Sequence, residues 1–220
     1  MEKTQLTAFL SAELQQRVKQ VFDRFDTDGT GSFTAERLGE CLAALGYNFT
    51  DKALKIFVKL VDANGNGAVE FSEFLPLFGY LVVMDMAFDA LDDNKSGSFD
   101  RKQLGIALEQ LGYKFSKKQV QALFVMADQD DSGEVEKAEF QTLALFLQYC
   151  LVLFNYYDKD NNGTIEFDEF RPLLSQLEPD YDDIDTAKML FDSTDMDGNG
   201  ELDFAEVVKL VFLIKYSEDN

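Results

Sequence analysis

The stretch Asp158–Glu169 carries oxygen-bearing side chains at its first, third, fifth, ninth and twelfth positions: Asp158, Asp160, Asn162, Glu166 and Glu169. Gly163 stands sixth and the apolar Ile165 eighth. Carboxylates at this spacing repel one another unless a cation lies among them. A hard divalent cation takes roughly six to eight oxygens in a shell about 2.4 Å in radius. Positions one, three and five then supply side-chain oxygens and the seventh, Thr164, a main-chain carbonyl. The twelfth closes the shell with both carboxylate oxygens. The sixth-position glycine permits the sharp turn, and the eighth residue packs inward.

The pattern occurs six times, and three further copies are complete. One holds Asp62, Asn64, Asn66, Ala68, Glu70 and Glu73. Another holds Asp128, Asp130, Ser132, Glu134, Glu136 and Glu139. The last holds Asp195, Asp197, Asn199, Glu201, Asp203 and Glu206. Two copies lack the closing glutamate. The first, with Asp26, Asp28, Thr30 and Ser32, ends in Arg37, which places a cation where the site needs an anion. The third, with Asp92, Asn94, Ser96, Ser98 and Asp100, ends in Gln103, which offers one neutral oxygen for two charged ones. Loop one is therefore expected to hold no ion and loop three to be weak or vestigial. Loop two has only three acidic side chains at ligand positions (Asp62, Glu70, Glu73) and is expected to be the weakest of the complete set.

The loops start at residues 26, 62, 92, 128, 158 and 195, so the intervals run 36, 30, 36, 30 and 37. An interval of 30 leaves room between loops for only about 27 Å of helix. Phe74–Leu91 and Phe140–Tyr157 contain no turn cluster, so each is expected to be one helix shared by two loops, with Pro76 and Gly79 bending the first. Both are apolar nearly all round and are expected to be buried. A membrane span is the rival reading. Asp85 and Asp89 interrupt the first segment, and the apolar run of the second is shorter than the about 20 residues a span needs.

A longer repeat sets Arg37–Thr50 beside Gln103–Ser116, with Gly46 and Gly112 ending helices and Ser116 with Gln119 forming a capping box. The repeating unit is thus a pair of loops used three times, over residues 1–80, 81–147 and 148–220. The eighth-position residues Phe33/Val69, Phe99/Val135 and Ile165/Leu202 are expected to form a short antiparallel ladder inside each pair. The fold class expected is all-α: three tandem pairs joined by two long shared helices.

A net charge of −21 argues against nucleic acid as a partner, since phosphate would be repelled, and suits cations. Four divalent ions would bring it to −13, so metal should compact the fold. The chain has no histidine, which removes His-based triads and His-ligated zinc, and no nucleophile sits beside a base, so an enzyme is not expected. Cys41 and Cys150 lie in apolar helical patterns and are expected to be reduced. The stretch Met1–Gln16 lacks the apolar core of a signal peptide, and Glu2 stands where N-myristoylation needs glycine; the expectation is a cytoplasmic protein.

The loops resemble those of the EF-hand superfamily over nearly the whole chain. The 36/30 alternation, with Phe71–Phe74 (FSEF) and Leu111–Ser116 (LGYKFS), is similar to the penta-EF-hand family that contains calpain regulatory domains, sorcin and grancalcin. That resemblance implies Ca²⁺-dependent association with peptides or membranes. The chain departs from it in lacking a Gly/Pro-rich N-terminal tail and in adding a complete sixth hand. Hand five can then pair inside the chain, which makes a monomer the expected state. Two readings stay open. A Ca²⁺ sensor or adaptor would open apolar surface to an unidentified protein, peptide or membrane face. A cytosolic Ca²⁺ buffer would bind the same four or so ions, in competition with Mg²⁺, with little opening.

Overall fold

The computed structural model describes residues 10–62, 66–179, 181 and 183–216. The first loop pair runs α1 (Ala12–Phe25), β1 (Ser32–Thr34), a 3-10 turn (Ala35–Arg37), α2 (Leu38–Ala44), α3 (Asp51–Val61), β2 (Ala68–Glu70) and α4 (Phe71–Leu91). The second continues with β3 (Ser98–Phe99), α5 (Arg101–Gln110), α6 (Lys117–Ala127), β4 (Val135–Glu136) and α7 (Lys137–Tyr157). The third is α8 (Phe167–Leu177), α9 (Ile184–Thr194) and α10 (Phe204–Tyr216). The chain is an all-α array whose only strands, among the described residues, are two-stranded antiparallel ladders.

Local chemistry sets the helix ends. The N-caps Ser11, Thr50, Ser116 and Asp183 accept backbone N–H bonds from the first turn. Ser116 and Gln119 form the expected capping box. Each entering helix ends on the first aspartate of its loop, whose N–H still reaches the carbonyl four residues back: Phe22 for Asp26, Val58 for Asp62, Phe88 for Asp92, Phe124 for Asp128, Phe154 for Asp158 and Phe191 for Asp195. Five of these six residues are phenylalanine, and loop two has Val58 instead. Phe22, Phe33 and Phe74 meet in one cluster, and Phe88, Phe99 and Phe140 in another, with ring centroids 4.3–6.0 Å apart. Aromatic edge and face contacts of this kind fix the helix pairs more tightly than apolar burial alone.

The ladders have the expected registers. Phe33 pairs with Val69 and Phe99 with Val135, and Ile165 and Leu202 exchange two backbone bonds of 2.9 Å. All six residues are buried.

The two shared helices form as single 21-residue elements, and α4 continues through Pro76. By length and composition both could cross a membrane. In this structure 44% of the apolar window of α4 and 56% of that of α7 is buried inside the protein. The Tyr80 hydroxyl of α4 donates to the buried Ala144 carbonyl of α7 (2.9 Å). Asp85, also on α4, accepts from the Tyr47 hydroxyl and from Gln141 Nε2, each at 2.7 Å. Lys137 forms ion pairs with Asp85 and Asp89. The acids that interrupt α4 therefore hold neighbouring helices. Cys41 and Cys150 are buried free thiols.

By density of internal contacts the chain divides into two compact units, Met1–Leu145 and Phe146–Asn220. The first holds loops one to four and the second loops five and six.

Candidate metal centres

All six loops close on their first aspartate in the same way. One carboxylate oxygen accepts the N–H of the fifth residue and the other that of the sixth. The donors are Thr30 and Gly31 to Asp26, Asn66 and Gly67 to Asp62, and Ser96 and Gly97 to Asp92. The same bonds run from Ser132 and Gly133 to Asp128, Asn162 and Gly163 to Asp158, and Asn199 and Gly200 to Asp195. The distances lie between 2.8 and 3.2 Å. The turn needs a left-handed residue at position six, supplied for example by Gly163 at φ +88°. Position four is left-handed too, and here three loops use Lys95, Asp131 and Asn161 at φ 54–57°.

In loops four, five and six the twelfth residue ties both ends of the loop together. One oxygen of Glu139, Glu169 and Glu206 accepts the second-position N–H (Gln129, Lys159, Met196) at 2.7–2.8 Å. The other accepts the ninth-position N–H (Glu136, Glu166, Asp203) at 2.9–3.3 Å. The result is three clusters, Asp128/Asp130/Glu139, Asp158/Asp160/Glu169 and Asp195/Asp197/Glu206, in each of which carboxylate oxygens lie within 4.8 Å of one another. That span is the diameter of an oxygen shell of about 2.4 Å radius, so these donor sets fit a hard divalent cation. Asn162, Asn199 and Ser132 stand at the fifth positions of the same loops.

Electrostatics differ among the three. Burial, with repulsion from Asp130 and Asp128, raises the Glu139 carboxyl above its usual range against the pull of two backbone N–H groups. Glu166 is raised too, by desolvation and by Asp160 and Glu169. Asp195 is lowered, chiefly by the Gly200 N–H, then by Gly198 and Asn199.

Loop two has the same framework at Asp62 and Asn66, and Glu70 and Glu73 form a capping box. Asn64 lies outside the described residues. In loop three Gln103 keeps the cap, accepting the Asp100 N–H at 2.9 Å, with Asp100 accepting the Gln103 N–H in return. Its amide nitrogen cannot accept a second N–H. In loop one Arg37 turns back out of the loop. Its guanidinium donates to the Phe25 carbonyl at the end of α1 (2.9 Å) and lies 4.9 Å from the Phe25 ring. A cation there satisfies the C-terminal carbonyl of α1 and complements the helix dipole.

The seventh positions, singled out for their carbonyls, also use their side chains. Ser98 donates to the Glu134 carboxylate across the second pair, and Thr164 donates to Glu201 (2.9 Å) across the third. Sequence spacing flags these residues as main-chain donors and gives no sign of the side-chain bridge, which exists only once the loops are paired.

The family described as an EF-hand domain pair matches residues 15–79, 82–145 and 148–212. The chain is 28% identical over 141 residues to calcium-binding protein CML19 of Arabidopsis thaliana, covering 61% of this chain and 84% of that one. It is 34% identical over 142 residues to the troponin C isoallergen Bla g 6.0101 of Blattella germanica, covering 59% and 91%. A 27% identity to plasmodial-specific protein LAV1-2 of Physarum polycephalum covers 95% of this chain and 59% of the relative. Among solved structures, a homolog of programmed cell death 6 protein from Leishmania major superposes with a TM-score of 0.54 at 26% identity, covering 71% of this chain and 87% of that one. This neighbour agrees with the penta-EF-hand-like loop spacing. Family matches across three successive loop pairs, with donor sets of the right size and chemistry, place the chain in the EF-hand family of calcium-binding proteins.

Proposed function

We propose that the protein is a Ca²⁺ sensor or adaptor that binds about four ions, in loops two, four, five and six, and answers by exposing apolar surface to a protein, peptide or membrane partner. The observation that carries this reading is where the closing glutamates sit. Glu73 and Glu139 each stand in the first turn of a 21-residue helix whose far end is the start of the next loop. An ion that draws in Glu73 therefore moves a rod about 31 Å long that ends at Asp92. A sensor uses such a lever, whereas a buffer would bind the same ions with the helix nearly unmoved. Met86, Val125, Tyr156 and Met189 already stand more than 60% exposed on four different helices and supply apolar contact area.

The rival reading is a buffer, favoured by the backbone N–H bonds that hold Glu139, Glu169 and Glu206 near their closing positions, since a prepared site binds with little rearrangement. Fluorescence of an apolar-surface dye, titrated with Ca²⁺ over a fixed millimolar Mg²⁺ background, separates the two. A calcium-specific rise is expected. A flat signal on a sample with calcium binding verified by calorimetry refutes the sensor reading. The Mg²⁺ background is included because that ion competes for the same oxygens.

In this reading the protein works by binding and not as an enzyme, because its acidic clusters serve as ion ligands. It acts as a monomer, because each loop pairs inside the chain, and light scattering should give a mass near 24.9 kDa with and without Ca²⁺. Its net charge of −21 and its two buried free thiols support a cytoplasmic location with Ca²⁺-driven recruitment, which cell fractionation with calcium or chelator tests.

A further inference from the structure

The paired loops are joined by more than their backbone ladder. In the third pair Thr164 Oγ1 lies 2.7 Å from Asn162 Oδ1 and 2.9 Å from Glu201 Oε2. The Glu201 N–H in turn donates to Asn199 Oδ1 (2.8 Å). The path thus runs from the fifth-position residue of loop five, through both seventh positions, to the fifth-position residue of loop six. The second pair repeats it with different side chains. Ser96 Oγ and Ser98 Oγ are 3.5 Å apart, Ser98 donates to the Glu134 carboxylate, and the Glu134 N–H donates to Ser132 Oγ (3.3 Å). In the first pair Thr30 and Ser32 stand 3.3 Å apart, but Ala68 occupies the place of Glu134 and Glu201 and ends the path.

We propose that these seventh-position side chains, Thr164 with Glu201 and Ser98 with Glu134, are positioning residues that pass ion occupancy from one loop of a pair to its partner. The proposal rests on the assignment of loops five and six as Ca²⁺ sites. A hydroxyl has one proton, and Thr164 faces two acceptors. Asn162 Oδ1 has two lone pairs and gives one to the Thr164 N–H (2.8 Å). The other would serve a cation held in loop five. The hydroxyl proton would then belong to Glu201 alone. Glu201 is fixed at both its side chain and its N–H, and its carbonyl, the seventh-position ligand of loop six, is held ready for the second ion. Filling loop six fixes Glu201 in return, so the coupling is reciprocal. Loop three has the bridge to loop four through Ser98 but, weakened at Gln103, lacks the ion whose occupancy it would pass. The first pair, closed by Arg37, has no such path.

Amide NMR of the full-length chain titrated with Ca²⁺ tests this. The Gly163 and Gly200 N–H groups report loops five and six separately, because each donates to the first aspartate of its own loop (3.1 and 2.8 Å). In the parent the two signals are expected to move together. In Thr164→Val, whose shape is nearly the same, the midpoints are expected to separate by about fivefold, the worth of one hydrogen bond. The remaining coupling runs through the Ile165–Leu202 bridge. Thr164→Ser keeps the hydroxyl and is expected to restore the parent behaviour, which a purely packing role for the threonine methyl would not do. Midpoints in Thr164→Val that coincide as in the parent, or Thr164→Ser separating as Thr164→Val does, overturn the coupling while leaving the sites intact. Glycine signals that ignore Ca²⁺ in the parent overturn the site assignment itself, and the coupling with it.

Discussion

Loop three should become a calcium site on a single change, Gln103→Glu. Its first-position turn is already built, with Ser96 and Gly97 donating to Asp92 at 3.1 and 2.8 Å as their counterparts do in the complete loops. Gln103 already caps α5 through the Asp100 N–H, so the substitution keeps the helix start and changes only the second atom of the side-chain head. That atom becomes an oxygen. It can accept the Asp93 N–H, as Glu139, Glu169 and Glu206 accept those of Gln129, Lys159 and Met196. It also adds one negative charge. At about 2.4 Å from a divalent ion, a unit charge is worth about 3 kcal/mol even at the dielectric constant of water. Repulsion from Asp92 and Asp100 returns part of this, leaving roughly a hundredfold in affinity. A loop binding in the millimolar range would move to about ten micromolar, the weak edge of the range of sensor sites. Calorimetry should then count about one more ion per chain, and the Gly97 amide should shift with Ca²⁺. The reverse change in a complete loop, Glu169→Gln, should remove about one. An unchanged stoichiometry together with a Gly97 amide that ignores Ca²⁺ would refute the reasoning that the twelfth residue alone disables this loop.

Two further outcomes follow from backbone geometry and burial. Lys95 holds φ +54° at the fourth position of loop three, where loops one, two and six place glycine, so Lys95→Gly should stabilise the calcium-free chain by about 0.5–1 kcal/mol. That is about 1–4 °C in Tm by calorimetry, and no change or a fall contradicts the strain. Burial pushes the Cys41 thiol from 9.0 up to about 12, against a weaker pull from Arg37, so the native protein should resist thiol reagents at pH 8 and react fully when unfolded. Because the folded value lies above the unfolded one, the thiol's contribution to stability is complete below about pH 9 and is lost as pH rises toward 12. The urea midpoint should accordingly fall between pH 8 and pH 10, and rapid labelling of native Cys41 at pH 8 would show that it is not buried as described.

The loops, their register and the ladder partners could be read from the sequence because each is fixed inside one loop, or between the eighth positions of two loops. The shared helices could be read because Phe74–Leu91 and Phe140–Tyr157 contain no turn cluster and are too short for two helices and a linker. What could not be read depends on where distant side chains meet. Arg37 is legible as the loss of a ligand, but its bond to the Phe25 carbonyl follows from a rotamer that leaves the loop. Asp85 interrupts an apolar helix in the sequence, and only folding brings Tyr47, 38 residues earlier, and Gln141, 56 later, to its carboxylate. The seventh-position bridges join residues 36 and 37 apart and depend on the ladder bringing two loops side by side.

Helix α4 carries a constraint of phase. From Glu73, which closes loop two, to Leu91, which precedes loop three, the helix makes about five whole turns, so both residues lie on the same side of it. Inserting or deleting one residue between Phe74 and Tyr80 would swing everything beyond it by about 100°, breaking the Tyr80 and Asp85 bonds together. A loop such as Leu45–Thr50 absorbs an extra residue without turning the next helix. The chain's own spacing bears the mark of this difference: the intervals that cross a shared helix are both 30, whereas those that cross a linker are 36, 36 and 37.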